Sequence, residues 1–305
     1  MSMVDLSVVI SNWNTRSLLD QCLRSLSGAL RGSELLHEVI VVDDGSTDGS
    51  AEMVNQDHPE VRLVLSDANL GYAKANNRGI LQAKGRYILL LNSDAVVRRG
   101  ALEHMVRYLD DHPGVGAVGP KLLNVDGSIQ RSCWPFPMKV LLGNAFLLFR
   151  LGVLDDYRRW DHRYDRRVDW IVSAALLVRR ELFEDVGLFD EHLFVYGVEV
   201  EWAKRAANQG WRFVSLAEPE ITHFGGQSGL SRSKLMRRDT KDSCAFYFRR
   251  HHGVPGLMLY YGLTLSRGIL SLAFWWCLRS LGWSPARSRV AWYRESIYGM
   301  MGIFE

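Results

Sequence analysis

Three groups of polar residues, each following a short apolar run, carry the most chemistry in this 305-residue chain. Leu6–Ile10 is followed by Asn12 and Asn14, Glu38–Val42 by Asp43 and Asp44, and Tyr87–Leu91 by Asn92, Ser93 and Asp94. Carboxylate and amide oxygens accept hydrogen bonds from polar ligands, and carboxylates also ligate hard divalent cations. Further along, ITHFGG contributes the imidazole of His223, and Glu199 and Glu201 place two acids at the start of an amphipathic stretch. No glycine-rich dinucleotide fingerprint follows the first run, and no P-loop pattern occurs, so a nucleotide bound here is held in another way.

The elements that position these residues follow from the apolar pattern. Leu6–Ile10, Glu38–Val42, Val61–Leu65, Tyr87–Leu91 and Val115–Val118 read as strands, several of them continuously apolar. Between them, Thr15 or Ser17 caps a helix with the stripe Leu19, Cys22, Leu23 and Leu26, and Asp48 or Ser50 starts a second helix. Ala73–Gln82 and Ala101–Leu109 read as further helices. Alternating strands and helices predict an α/β fold with a mostly parallel sheet covered on both faces. Such sheets bind ligands beyond the carboxyl ends of their strands, so three polar strand ends point to one shared cleft. Residues 124–168 are rich in Pro, aromatics and Arg with weak periodicity, and read as long loops. Asp169–Val178 then reads as one strand, Glu181–Val186 and Glu199–Asn208 as helices, and Trp211–Ser215 as a strand.

Composition excludes several classes. Apolar residues make up 47% and charged residues 23%, which is globular rather than disordered. The four cysteines, Cys22, Cys133, Cys244 and Cys277, are too far apart for a CxxC pair, and a reducing compartment fits them. The opening MSMVDLSVVI has no signal-peptide pattern. Net charge is +3, but residues 249–305 hold seven Arg, no Lys and two Glu (+5), leaving 30 basic and 32 acidic groups (−2) before them. A nucleic-acid module, which needs a basic stripe, is therefore not expected. The tail is apolar, yet its uninterrupted run Gly268–Leu278 is only eleven residues, with Arg267 and Arg279 at its borders. The expectation is an interfacial segment over residues 254–292. Trp275, Trp276, Trp283 and Trp292 suit the headgroup region and the arginines suit anionic lipid. A helical pair packed on protein is the alternative, and a true span, with Arg267 near its middle, is the less favoured membrane option.

SVVISNWNT, VVDDGSTDGS, NLGYAKANNRGI, LLNSDAVV and VDWIVSAALLVRRELFEDVGLFDEHLFVYG, in this order and spacing, resemble the family 2 glycosyltransferases. The similarity is to the rhamnosyltransferase-like branch that builds bacterial surface polysaccharides, and it covers Leu6 to about Ser228. It implies a GT-A fold over residues 1–248, with nucleotide-sugar binding in 1–120 and the acceptor side in 121–248, and a helical extension over 249–305. It also implies inverting transfer of a sugar from a dTDP- or UDP-linked donor, dTDP-rhamnose being the single best choice, to a saccharide or lipid-linked acceptor. The work is expected at the cytoplasmic membrane face, with Mg²⁺ or Mn²⁺ as cofactor.

Residue by residue, the resemblance makes Asp94 the first metal ligand, with His223 and Asn92 as further candidates. A hand-over to plain structure stays open at each: a turn aspartate, a core histidine, a ribose-binding amide. Asp43 is expected at the pyrimidine ring. Asp44 serves the nucleotide or the turn. Asn12 and Asn14 hold the base or ribose or serve only local loop hydrogen bonds, Ser93 joins the nucleotide-sugar site, and one of Asn76 and Asn77 faces the diphosphate-sugar while the other caps or packs. Trp170 and Ser173 line the acceptor side, although a Trp at a strand start also serves as core. Arg158, Arg159, Arg163, Arg166 and Arg167 either hold an acceptor phosphate or form a solvated face with Asp155, Asp156, Asp161 and Asp165. The family commonly reads Y-x-E-D-x-D-L where this chain has Tyr196-Gly197-Val198-Glu199-Val200-Glu201-Trp202. Glu199 thus falls on the catalytic base and Glu201 on the second Asp, either binding acceptor or pairing with Arg205. The acid swap at this point also motivates a second class, a non-catalytic subunit that kept the fold.

Overall fold

The computed structural model describes residues 4–145, 154, 157, 160–225, 233–281, 283, 288–291 and 293–294. Sequence readings that rest on Asp155, Asp156, Arg158, Arg159 or Trp292 lie outside the described residues. The chain divides into two compact units, residues 1–136 with 157–243, and residues 137–156 with 244–305. Residues 137–156, assigned by sequence to the acceptor side, thus group with the C-terminal unit.

In the first unit, β1 (Leu6–Asn12), β2 (His37–Asp43), β3 (Arg62–Leu65) and β4 (Tyr87–Asn92) form the parallel half of the sheet, in the order β3-β2-β1-β4. Every residue of β1 from Leu6 to Ile10 is fully buried, as expected for a strand covered on both faces. The coverings are α1 (Arg16–Leu30), α2 (Ser50–Asp57), α3 (Tyr72–Gln82) and α4 (Ala101–Asp111). The stripe Leu19, Cys22, Leu23, Leu26 and Leu30 of α1 joins Leu102, Met105 and Leu109 of α4 in one core cluster. Each such side chain contributes roughly 1.5–3 kcal/mol by leaving water. On the other face α3 packs closely because residue 79 is glycine: a Cβ there would lie 2.3 Å from Val9 Cγ1.

Beyond β4 the sheet continues through β11 (Ala175–Arg179), β6 (Val115–Leu123), β12 (Arg212–His223) and β5 (Ala95–Val97). β11 is antiparallel to both β4 and β6, while β12 runs parallel to β6. β7 (Ile129–Gln130) pairs with β6, and β9 (Arg166–Val168) with β12. β8 (Cys133–Trp134) and β10 (Trp170–Ile171) form a separate two-stranded ribbon. The reading of 169–178 as one strand is corrected here, since β10 and β11 belong to different sheets with Ser173 in the connection. α6 (Arg180–Val186) and α7 (Val198–Asn208) complete this unit.

The second unit holds α5 (Pro137–Ala145) and most of the helical stretch α8 (Ser233–Ser280), which breaks at Gly253 (φ 63, ψ −165), two residues before Pro255. Lys241–Ser280 is long and apolar enough to cross a membrane by length and composition, and only 6% of its most apolar window is buried. Met258, Ile269, Leu270, Phe274 and Trp276 are all exposed on it.

Candidate active site

β1, β2 and β4 are in parallel register and end together, Asn12 opposite Asp43 and Ser11 opposite Asn92, which brings the three polar strand ends side by side. β12 delivers His223 to the same edge through its pairing with β5, in which His223 lies opposite Ala95.

The first loop is a closed network. Asn12 is 1% exposed; its Nδ2 donates to Asp43 Oδ2 at 2.9 Å and to Ser46 Oγ at 3.2 Å, and its Oδ1 accepts from Thr15 Oγ1 at 2.6 Å. Thr15 precedes α1 but does not cap it with its side chain; its hydroxyl also meets Ser93 Oγ at 2.8 Å. Asn14, at φ 54, accepts from Thr47 N through Oδ1 at 2.8 Å. Asn12 and Asn14 therefore tie the loops together. For Asn12 this corrects the expectation of direct ligand contact, because both ends of its buried amide are engaged.

The two aspartates that follow β2 differ. Asp43 is engaged at both oxygens, accepting from Ser46 N at 2.9 Å as well as from Asn12. Asp44 accepts from Leu70 N and Gly71 N through Oδ2, both at 2.9 Å, while its buried Oδ1 has no partner. The open acceptor in this pair is on Asp44, where the sequence reading favoured Asp43.

The two asparagines of α3 are structural at their amide nitrogens. Asn76, 1% exposed, donates to Ser11 Oγ at 3.2 Å and Tyr72 O at 2.9 Å. Asn77 clamps the 189–191 loop: Nδ2 donates to Phe189 O and Glu191 Oε1, both at 3.0 Å, and Oδ1 accepts from Phe189 N at 3.1 Å. Asn77 is buried and faces that loop, which is the packing role expected for one of the two asparagines.

Asn92, Ser93, Asp94 and His223 form the centre. His223 Nε2 lies 3.1 Å from Asp94 Oδ1 and 3.2 Å from Asn92 Nδ2. Its Nδ1 lies 2.6 Å from Gln130 Oε1. The orientation of Gln130 is set by its own amide nitrogen, which donates to the His223 carbonyl at 3.1 Å and to Asn124 Oδ1 at 2.9 Å. Gln130 Oε1 thus accepts from Nδ1–H, and in the neutral ring the Nε2 lone pair, which also accepts from Asn92 Nδ2, faces the Asp94 carboxylate. Two electron-rich atoms at that separation need a proton or a cation between them. Adjacent ligands about 2.1 Å from an octahedral ion stand about 3.0 Å apart, so a divalent cation fits this pair. An outer hydrogen bond that fixes the tautomer is also what a metal-binding histidine requires. Among the described residues no third His, Cys, Asp or Glu joins them. Behind the pair, Cys22 Sγ donates to Asn92 O at 3.6 Å, and burial next to the Asp94 charge pushes its thiol up to about 12.

Glu199 stands in the first turn of α7, where the helix dipole favours an acid. Its Oε1 accepts from Ser173 Oγ at 2.5 Å. Ser173 adjoins Ala174, whose carbonyl accepts from Asn92 N at 3.0 Å, so Glu199 and Asp94 share one edge of the sheet. Glu201 points elsewhere. It is 0% exposed and pairs with Arg205 through Nε at 3.1 and 3.0 Å, while Arg205 also donates to Val186 O and Leu188 O. The expectation that Glu201 binds acceptor is thereby corrected in favour of the pairing with Arg205. Trp170 stacks on Trp134 with centroids 5.1 Å apart and donates to Pro135 O. Sequence reading missed Tyr72, Ser46 and Gln130. The first two lie inside the motifs quoted above, but Gln130 sits in a stretch without periodicity and carries no local signal.

The mostly parallel sheet, covered by helices, thus carries the Asp94–His223 pair and Glu199 at one edge. The Glycosyl transferase family 2 model matches residues 7–132. Over 268 residues the chain is 30% identical to the N-acetylglucosaminyl-diphospho-decaprenol L-rhamnosyltransferase of Mycobacterium tuberculosis, covering 81% of this chain and 85% of that protein. The chain belongs to the family 2 glycosyltransferases and is an enzyme of that class. The mannosyltransferase PcManGT of Pyrobaculum calidifontis, solved with GDP-Man and Mn²⁺, superposes with a TM-score of 0.58 at 20% identity, over 99% of this chain and 85% of that one. S. aureus TarS with UDP-GlcNAc gives 0.56 at 18% identity, over 80% and 65%. These two likenesses bear on the fold, and the chain spans just under two thirds of the TarS structure.

Proposed function

We propose that this enzyme transfers rhamnose from dTDP-rhamnose, with inversion, to a lipid-linked saccharide acceptor in bacterial surface polysaccharide assembly. The donor and acceptor class are supported by the similarity to the mycobacterial protein, an L-rhamnosyltransferase acting on N-acetylglucosaminyl-diphospho-decaprenol. Residues 1–120 hold the nucleotide sugar and the following part of the first unit, with Trp170, receives the acceptor. The apolar surface of α8 from residue 254 on lies against the cytoplasmic face of the membrane, where a lipid-linked acceptor resides.

The single observation that carries the chemistry is the 3.1 Å approach of His223 Nε2 to Asp94 Oδ1 at the same sheet edge as Glu199. Asp94 and His223, with Asn92 beside them, hold Mg²⁺ or Mn²⁺, and histidine in the set favours Mn²⁺. A cation held there would supply the positive charge that offsets the departing diphosphate. Glu199 takes the proton from the acceptor hydroxyl as its oxygen bonds to the anomeric carbon, and the carbon–oxygen bond to the diphosphate breaks on the opposite face. Asp44 Oδ1, the buried acceptor without a partner, receives the ring N–H of thymine.

Incubating the full-length protein with a GlcNAc-diphospho-lipid and dTDP-rhamnose, UDP-GlcNAc or GDP-mannose, each with Mn²⁺, tests the reading. Transfer from dTDP-rhamnose with an inverted anomeric centre by NMR supports it. Transfer from another donor, or retention, overturns the corresponding part. Glu199→Gln is expected to lower transfer by about 10²–10⁴-fold.

A further inference from the structure

We propose that Tyr72 and Ser173 are positioning residues for Glu199, forming a relay that holds one oxygen of the base so that the other faces the acceptor. This rests on the assignment of Glu199 as the base. Tyr72 donates to Ser173 Oγ, and Ser173 Oγ donates in turn to Glu199 Oε1 at 2.5 Å. Ser173 N–H reaches the same oxygen at 3.3 Å. Both Ser173 groups act on Oε1, and neither acts on Oε2.

The relay joins three elements. Tyr72 opens α3, the helix of the NLGYAKANN segment, and its backbone N–H donates to Phe194 O at 2.7 Å in the loop that leads into α7. Ser173, 1% exposed, lies between β10 and β11, and Glu199 begins α7. Burial, and then the charge of Glu199, hold the Tyr72 phenol above its ordinary range, so it stays a donor. A serine hydroxyl donates once and accepts at its lone pairs. With Tyr72 occupying an acceptor position, the serine proton is left to point at the carboxylate.

The relay also answers the acid swap. Glu has one more rotatable bond than Asp, and a free side chain spends part of its time away from the reacting geometry. A carboxylate tethered at one oxygen by a charge-assisted hydrogen bond recovers that placement.

The test measures kcat and KM for dTDP-rhamnose and a GlcNAc-diphospho-lipid in Y72F, S173A, the double variant and E199Q of the full-length protein. dTDP affinity by calorimetry and the thermal midpoint accompany each. The relay predicts that kcat falls about 10-fold in Y72F and about 30-fold in S173A, with donor KM and dTDP affinity within about 2-fold of the parent. It further predicts that Y72F adds under about 2-fold to S173A, because the path is already cut. Independent, multiplying losses overturn the relay, as do losses confined to KM or to the thermal midpoint. If S173A does not fold, Y72F with Ser173→Thr, which keeps the hydroxyl and is expected to retain kcat within about 3-fold, decides alone. Loss of activity in E199Q with none in Y72F and S173A rejects the relay and leaves the base standing. Full activity in E199Q rejects both.

Discussion

His223 Nε2 and Asp94 Oδ1 lie 3.1 Å apart although one residue ends β12 and the other follows β4. The hydrogen bond from Nδ1 to Gln130 fixes the tautomer that turns the Nε2 lone pair toward the carboxylate. Asp94→Ala is therefore expected to abolish Mn²⁺-dependent binding of dTDP-rhamnose. Gln130→Leu is expected to weaken Mn²⁺ about 10–100-fold while leaving Asp94 in place. Titrating Mn²⁺ by electron paramagnetic resonance, with and without dTDP, checks both. Unchanged Mn²⁺ affinity in Gln130→Leu would show that the tautomer is set some other way.

Asp43 and Asp44 are expected to separate in mutagenesis. Asp44→Asn replaces the orphan oxygen or the oxygen that holds Leu70 and Gly71, and dTDP affinity is expected to fall at least about 10-fold. Asp43→Asn disturbs the Asn12–Ser46 network and is expected to cost folding stability more than nucleotide affinity. Calorimetric titration with dTDP and with dTMP, alongside thermal denaturation, distinguishes the two. Equal losses of affinity would place the base against both residues.

The Glu201–Arg205 pair makes a stability prediction. Arg205→Ala removes the guanidinium that pairs with the fully buried Glu201 carboxylate and frees the carbonyls of Val186 and Leu188. A loss of about 3–5 kcal/mol in urea denaturation is expected. The double variant Glu201→Leu, Arg205→Met is expected to recover much of it, since an apolar pair of similar volume avoids the desolvation cost. A double variant as unstable as the single one would mean that the guanidinium bonds to the two carbonyls matter more than the ion pair.

The cysteines are expected to label in order of exposure. Cys277 is exposed, whereas Cys22 and Cys133 are buried. With its thiol pushed up to about 12, Cys22 holds on the order of one thiolate in ten thousand at pH 8. Iodoacetamide should modify Cys277 within minutes and Cys22 only after unfolding, as read by peptide mass spectrometry. Early modification of Cys22 would indicate that α1 opens away from β4.

Much of the parallel half was legible because short apolar runs such as Val8–Ile10 and Tyr87–Leu91, bounded by turn residues and too short for helices, fit strands buried on both sides. α1 and α4 followed from their stripes. The irregular half was less legible. β5, β7 and β9 have two or three residues each, too short for any period to register, and are held by pairing with distant strands. β12 was read only to Ser215 because the acidic residues Glu218 and Glu220 and Pro219 interrupt its pattern. Glu220 is instead satisfied by Lys121 and Arg98. In the site, residue types marked strand ends that the sheet brings side by side, but which oxygen was spent and which was open depended on backbone donors such as Leu70 N and Gly71 N, which no side-chain pattern records.

The loop before α7 is fastened to α3 at two points, through Asn77 to Phe189 and through the Tyr72 amide to Phe194. Gly71, at φ +89, lets the chains touch there, since a Cβ would fall 2.5 Å from the Phe194 ring. The consequence concerns timing. A jaw riveted in this way offers no hinge along that seam, so on the proposed assignment of Glu199 the base is already in place when the donor arrives, and selectivity between hydroxyl and water comes from how the acceptor fills the remaining space.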